Sequence, residues 1–360
     1  MSLKVWIDGQ LVEKDSARVS VYDHGVLYGD GVFEGIRAYN GKIFECEAHL
    51  RRLWDSARAI RLTIPLSADQ FRGAIEETIR ANGFTDCYIR AVVTRGPGDL
   101  GIDPRKSPKP VVFIIADKIA IYPPEMYEKG IAVVTSSWIR NHPNATPPRV
   151  KGLNYLNNVL AKIEANDAGV NDALMLNHKG NVSELTAANV FLVRGGKLAT
   201  PGVTEGILEG VTRRVILEIA VGLGIACVER SIDRFDVYSA DEMFATGTGV
   251  EAIAITKVDG RVIGGGVAGP VTNRLLQAFR APVSHTVADY AEAFARPTLL
   301  VAGDRDDITP LSEQLKLQRR IPGSRLRVVP GVGHLAHYEA VDDATAEIAE
   351  FLAAVAGERA

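Results

Sequence analysis

A mixed α+β fold of more than one domain is what this sequence predicts, and three observations carry that reading. Strands bounded by turn residues alternate with two amphipathic helices over roughly the first 120 residues, the pattern of an α+β unit with a mostly antiparallel sheet. A proline pair, Pro123-Pro124, closes that region and marks a linker. From about Arg296 the character changes again, to a continuous apolar strand followed later by a periodic helix, the texture of an α/β fold. At 360 residues the chain is long enough for two or more sizeable cores. The expected divisions are 1–122, a linker at 123–129, 130–281, and an extension at 282–360.

Composition removes several function classes. Lys+Arg number 41 against 44 Asp+Glu, so no charge imbalance points to nucleic acid or an acidic membrane surface. Cys46, Cys87 and Cys227 are odd in number and far apart, which argues against a disulfide framework or a C-x-x-C metal site. The seven histidines form no H-E-x-x-H or related pattern, and no metal is expected. The amino terminus lacks an apolar h-region and no apolar run approaches the ~18 residues of a membrane span, so the chain is expected in the cytoplasm.

Taken in order, residues 3–13 read as strand, Asp8-Gly9 turn and strand, and Asn40-Gly41 repeats the device. Between them, Val21–Tyr39 carries four glycines among Tyr28, Val32, Phe33 and Ile36. Glycine at that density weakens a strand, which suggests close approach to something: a site wall. Glu47–Leu62 is a helix with Arg52 beside its apolar face, 68–83 a second helix, and Cys87–Thr94 and Val111–Ala116 are strands.

Pro147-Pro148 then delivers Lys151 from a stiff segment, Gly152 permits a turn, and apolar residues at 156, 159, 160 and 163 predict the buried face of a helix over Asn154–Glu164. Apolar neighbours and a nearby helix start would both lower the pKa of Lys151. A neutral amine can form a Schiff base with an aldehyde, the chemistry of pyridoxal-phosphate enzymes. Glu184 stands in an otherwise apolar or small stretch, Val182–Val193, where an ionised carboxylate needs a partner such as a cofactor's pyridinium nitrogen. Gly202–Val215 opens a helix with glycine-flanked amides, and Ala245–Glu251 is a second small-residue turn; each is a candidate anion seat.

Tyr28-Gly-Asp-Gly-Val-Phe-Glu-Gly-Ile-Arg37, Lys151-Gly-Leu-Asn-Tyr155, Ser183-Glu-Leu-Thr-Ala-Ala-Asn-Val-Phe191 and Gly247-Thr-Gly-Val-Glu251, in that order, resemble the fold-type IV pyridoxal-phosphate enzymes over about residues 1–280. The nearest resemblance is to the branched-chain aminotransferases. It implies a two-domain fold with pyridoxal 5'-phosphate between the domains and a homodimer or higher homo-oligomer. It also implies that Lys151 is the point of covalent attachment and the proton shuttle, and that Glu184 pairs with the ring nitrogen. Arg52, Val211, Thr212 and Thr248 would hold the phosphate and Tyr155 the ring hydroxyl. Tyr28, Phe33, Gly35, Arg37, Tyr88, Arg90, Thr248 and Gly249 would line the substrate side. The implied reaction is ping-pong transamination of leucine, isoleucine or valine with 2-oxoglutarate. D-amino-acid aminotransferases and aminodeoxychorismate lyases share the fold, and Glu34-Gly-Ile-Arg37 favours the branched-chain L-specific group.

After Arg280 the sequence departs from that pattern. Arg296–Pro310 and Val329–Glu339 resemble the carboxyl end of an α/β-hydrolase, with Asp306 as the matching acid and His334 as the base. A hydrolase nucleophile would precede both, and no G-x-S-x-G occurs. Such a pair cannot run hydrolysis alone, so the extension is expected to be catalytically idle, with Ala281–Thr286 as junction. A hydrolase-related or non-catalytic fusion protein is the alternative of a different class.

Overall fold

The computed structural model describes residues 2–119, 122–284, 297–306, 311–321, 323–333 and 340–357. Residues 1–280 form one compact unit and 281–360 a second. Two sheets make up the first unit.

The first sheet uses β1 (Lys4–Ile7), β2 (Gln10–Glu13), β3 (Gly31–Tyr39), β4 (Lys42–Ile43), β5 (Cys87–Thr94) and β6 (Val111–Asp117), in the order β2-β1-β6-β5-β3-β4. Every pairing is antiparallel. A short helix α1 (His24–Tyr28) precedes β3, and α2 (Cys46–Ala59) and α3 (Ala68–Ala81) cover one face. Alternation along β3 and β5 decides what each face presents. Val32, Ile36, Ala38, Ile89, Ala91 and Val93 pack against Leu50, Leu53, Phe71 and Ile75 of the helices, each such large side chain contributing about 2 kcal/mol by leaving water. The opposite face carries Phe33, Gly35 and Arg37, with Arg90 paired to Gly35 and Tyr88 to Arg37. Helix α3 starts at a capping box between Ser67 and Gln70, which satisfies two of the donors its first turn leaves free.

The second sheet uses β7 (Ile131–Thr135), β8 (Asp172–Leu176), β9 (Val182–Leu185), β10 (Asn189–Arg194), β11 (Lys197–Thr200), β12 (Cys227–Glu229), β13 (Glu242–Gly247), β14 (Glu251–Val258) and β15 (Arg261–Val262). Its order is β12-β11-β10-β13-β14-β7-β8-β9, with β15 beside β14. The β7–β8, β7–β14 and β11–β12 pairs are parallel. A tight turn in which Leu185 N–H donates to Ala188 O joins β9 to β10, so the stretch read as continuous over Val182–Val193 is two strands with the bend at 186–188. Helices α5 (Leu156–Asp167), α6 (Val211–Gly222), α7 (Arg234–Tyr238) and α8 (Pro270–Ser284) surround the sheet. The interval expected to be a linker is a short helix, α4 (Pro124–Lys129), opened by Pro124. Proline suits that position because the first helical N–H has no partner to lose. Met126 and Tyr127 pack on the second sheet's core.

One expectation is overturned on α5. Of the four residues read as its buried face, Leu156, Val159 and Ile163 are 70%, 48% and 47% exposed and Leu160 is half-buried. The inward face is Asn158, Ala161 and Ala165, with the alanines against Ala173 and Met175 of β8. Small residues let the helix approach the sheet closely, and Asn158 is turned in by its hydrogen bonds. Periodicity marks the apolar ridge correctly but not which way it faces.

In the second unit β16 (Leu299–Gly303) pairs in parallel with β17 (Arg325–Val329), and α9 (Leu311–Arg320) and α10 (Val341–Gly357) pack beside them. The first of these strands is the apolar one expected after Arg296. Asp306 is buried, and His334 lies outside the described residues, as do 285 and 286 of the junction.

Candidate active site

Lys151 is held by the first sheet. Because β4 is short, the β3 edge at Gly31–Phe33 is open, and the lysine segment fills it. Phe33 N–H donates to Lys151 O at 3.0 Å, Leu153 N–H to Gly31 O at 3.0 Å, and Val32 bridges to Gly152. Ser56 Oγ accepts from the Lys151 N–H at 3.1 Å. A Cβ on Gly31 would sit 2.6 Å from Leu153 Cδ1 and 2.7 Å from Val93 O, so glycine is what admits the lysine segment here. Lys151 Nζ lies 4.8 Å from the Phe33 ring centroid. Burial, reinforced by the Arg52 guanidinium, pulls its pKa down to about 8, so that the free amine is a minor form at neutral pH and becomes the major one above that value.

Glu184 is buried on β9 and has partners that the sequence left unassigned. Arg140 Nε donates to Oε1 at 2.8 Å, Asn189 Nδ2 to Oε2 at 3.0 Å, and the Leu208 N–H is shared between both oxygens. Arg140 in turn donates to Asn158 Oδ1 at 3.2 Å. Burial still raises the Glu184 pKa against the pull of Arg140. A carboxylate offers about four acceptor positions, and these three donors share them, with the Leu208 N–H divided between the two oxygens. Arg140 had no motif to announce it; the only available signal was that a carboxylate placed among apolar residues demands a cation.

A helix start and a clamped arginine form the other end of the site. Helix α6 begins at Val211 after its N-cap Gly210, where a Cβ would fall 2.0 Å from Asn189 Oδ1. Arg52 donates through Nε and Nη2 to the two Glu34 oxygens at 2.7 and 2.8 Å and through Nη1 to Glu209 O at 2.7 Å. The Thr246 hydroxyl is fully buried with no hydrogen-bond partner among the described residues.

A single cavity is bordered by Arg52, Lys151, Tyr155, Glu184, Val211, Thr212 and Thr248, together with Arg140, Asn158 and Thr246. The structure thus gathers every residue assigned to the cofactor from four sequence-distant segments and α2. The substrate-side residues divide. Phe33 stacks edge-on to Tyr155 at 5.2 Å, and the Arg90 guanidinium lies 4.5 Å from the Phe33 centroid and donates to the Tyr88 hydroxyl at 3.1 Å. Gly35 faces that hydroxyl so closely that a Cβ would be 2.0 Å from it. Arg37 reaches Gly249 O at 3.5 Å and Glu251 Oε1 at 3.6 Å. Of the substrate-side residues Thr248 alone borders the cavity, and Phe33, Gly35, Arg37, Tyr88, Arg90 and Gly249 lie outside its lining, as does Tyr28, which ends α1 and whose hydroxyl accepts from Gly101 N–H at 2.8 Å.

Pyridoxal phosphate suits this donor set. The buried Glu184 carboxylate borders the cavity as an anion for a ring N–H, the Lys151 pKa is depressed, and the α6 amides with Arg52 and the Thr246 hydroxyl offer donors to an anion. Among the described residues, no group of three or more His, Cys, Asp or Glu is placed to hold a metal, and no helix is long and apolar enough to cross a membrane.

Comparison with known proteins agrees with that chemistry. The family model for amino-transferase class IV matches residues 31–258, and that for TAP-like protein matches 277–356. A branched-chain-amino-acid aminotransferase of Pseudomonas aeruginosa is 40% identical over 80% of this chain and 95% of its own. The crystal structure of the Escherichia coli branched-chain amino acid aminotransferase has a TM-score of 0.77 at 36% identity, covering 79% of this chain and 95% of that one. A T.th. branched-chain amino acid aminotransferase complexed with N-(5'-phosphopyridoxyl)-L-glutamate has a TM-score of 0.74 at 37% identity, with coverages of 79% and 95%. With a cavity built for pyridoxal phosphate and likeness extending over most of its length, the chain belongs to the pyridoxal-phosphate-dependent class IV aminotransferases.

Proposed function

We propose that the chain transfers the amino group of leucine, isoleucine or valine, in the L form, to 2-oxoglutarate by a ping-pong mechanism. The observation that carries this reading is the convergence of Lys151, Glu184 and Arg52 on one cavity. The branched-chain donors are supported by the relatives' names, and glutamate as the second product by the complex of the T.th. enzyme.

When bound, pyridoxal phosphate supplies the electron sink for the pair left on Cα as its proton departs. With the cofactor in place, Lys151 Nζ would take the Cα proton and hold it for return during the transfer, a task for an amine whose pKa is near the working pH. Glu184 keeps the ring nitrogen protonated and Tyr155 hydrogen-bonds the ring hydroxyl. Arg52, the Val211-Thr212 amides and Thr248 hold the phosphate. Phe33, Tyr88 and Gly35 form a wall for an apolar side chain, with Tyr28 at its edge. Arg37, Arg90 and the Thr248-Gly249 turn serve the carboxylates.

In this reading 1–122 and 130–281 are the two domains around the cofactor, 123–129 connects them, and 282–360 is idle in catalysis. The chain works as a homo-oligomer, an assignment supported by the exposed ridge Leu156–Val159–Ile163 with Trp138 and Ile139 exposed nearby. Sedimentation at micromolar concentration should give a dimer or larger species. Three unpaired cysteines suit a reducing cytoplasm. Initial rates across a grid of L-leucine and 2-oxoglutarate concentrations test the mechanism. Parallel double-reciprocal lines are expected, and intersecting lines would exclude ping-pong order.

A further inference from the structure

We propose that Glu34, backed by His49, is the positioning residue for Arg52, and that it couples the phosphate end of the site to the substrate-bearing strand. This rests on Arg52 being a phosphate ligand. In the sequence Glu34 stands out only within Glu34-Gly-Ile-Arg37, alongside Gly35 and Arg37. In the fold its side chain lies on the other side of β3, fully buried, with Arg52 and His49 of α2 as its hydrogen-bond partners. There it accepts both Arg52 Nε–H and Nη2–H, a two-bond fork that fixes the plane of the guanidinium. His49, three residues before Arg52 on α2, donates Nδ1–H to Glu34 Oε2 at 2.8 Å.

Two physical features make this more than packing. A carboxylate removed from water is costly unless fully compensated, and here Arg52 and His49 hold the Glu34 pKa far below the ordinary carboxylate range. Burial lowers the His49 pKa, so its ring stays neutral and spends its one N–H on Glu34, leaving Nε2 buried with no partner among the described residues. A buried polar atom without a partner is destabilising, which a purely structural core position would avoid. The guanidinium has five N–H bonds; Glu34 takes two and Glu209 O takes one, leaving two for a ligand at the cavity it borders. Because Glu34 sits between Phe33 and Gly35 on one strand, a shift of the phosphate-holding arginine shifts the wall that contacts substrate.

The test compares pyridoxal phosphate with pyridoxal, which lacks the phosphate, in binding titrations to cofactor-free wild type, Glu34→Gln, Arg52→Lys and the double variant. Glu34→Gln should weaken pyridoxal phosphate by about tenfold or more and pyridoxal by less than about twofold. In the Arg52→Lys background, Glu34→Gln should add little further loss. Equal loss for both ligands, no loss, or full additivity with Arg52→Lys would overturn the proposal. If Arg52→Lys alone leaves pyridoxal phosphate affinity unchanged, the phosphate role of Arg52 fails first and the proposal fails with it. Glu34→Asp, which withdraws the carboxylate by one methylene, carries the same criteria should Glu34→Gln not fold.

Discussion

Arg140 Nε donates to Glu184 Oε1 at 2.8 Å, and both side chains are almost wholly buried. The ion pair has little water to soften it, so each partner depends on the other. Replacing Arg140 by methionine should cost about 3–5 kcal/mol, because the remaining carboxylate is uncompensated. The deficit should depend on pH in one direction. Burial already raises the Glu184 pKa above its unfolded value, and loss of Arg140 raises it further. Below the unfolded value the carboxyl is protonated in both states, so the deficit relative to wild type is small. It grows as pH rises, because the unfolded chain ionises freely while the folded one resists. Denaturant melts of both proteins from pH 4.5 to 8 measure this difference.

The depressed pKa of Lys151, about 8, predicts how cofactor-free protein takes up pyridoxal phosphate. A lowered lysine pKa means that the reactive neutral amine is the minor form below that value and the major form above it. The uptake rate should rise through neutral pH and level off above about 8. A rate still climbing at pH 10 would indicate an ordinary lysine. Lys151→Ala should remove transamination altogether with the fold intact by circular dichroism.

Glu184→Gln tests the ring-nitrogen role. A neutral amide keeps the hydrogen bond but cannot hold a cation, and electrostatic terms of this kind are worth about 3–4 kcal/mol. The variant should retain cofactor and lose roughly two to three orders of magnitude in kcat.

Gly35→Ala addresses the substrate wall. The new methyl must displace the Tyr88 hydroxyl, which it would meet at 2.0 Å, and with it the Arg90 contact. Lower kcat/KM for L-leucine with unchanged pyridoxal phosphate affinity is expected; equal loss of both would mean the sheet itself is disturbed.

Most of this site is legible in the sequence because its parts have local signatures. Lys151 sits behind two prolines, Glu184 in an apolar strand, and Val211 after a glycine at a helix start. What stays hidden depends on packing between distant segments. Arg140 and Asn158 are polar residues whose importance comes only from whom they meet, and Glu34 reads as part of the substrate motif until strand alternation turns it to the opposite face. The inward face of α5 is hidden for the same reason: alanines suited to close approach look less hydrophobic than the leucine and valine they leave outside.

Ending the chain after Ser284, at the close of α8, tests the reading of 282–360 as catalytically idle. The cavity residues all precede Glu251, so kcat and KM for L-leucine should stay within about twofold of the full chain, a change of less than ~0.5 kcal/mol. Loss of cofactor would assign the extension a part in holding the site.

The half-reaction tests the central claim most directly. Holoenzyme mixed with L-leucine, with no 2-oxo acid present, should lose the visible absorption of the lysine-bound cofactor as the amino group transfers, and adding 2-oxoglutarate should restore it. Spectra that respond to D-alanine but not to L-leucine, L-isoleucine or L-valine would contradict the account.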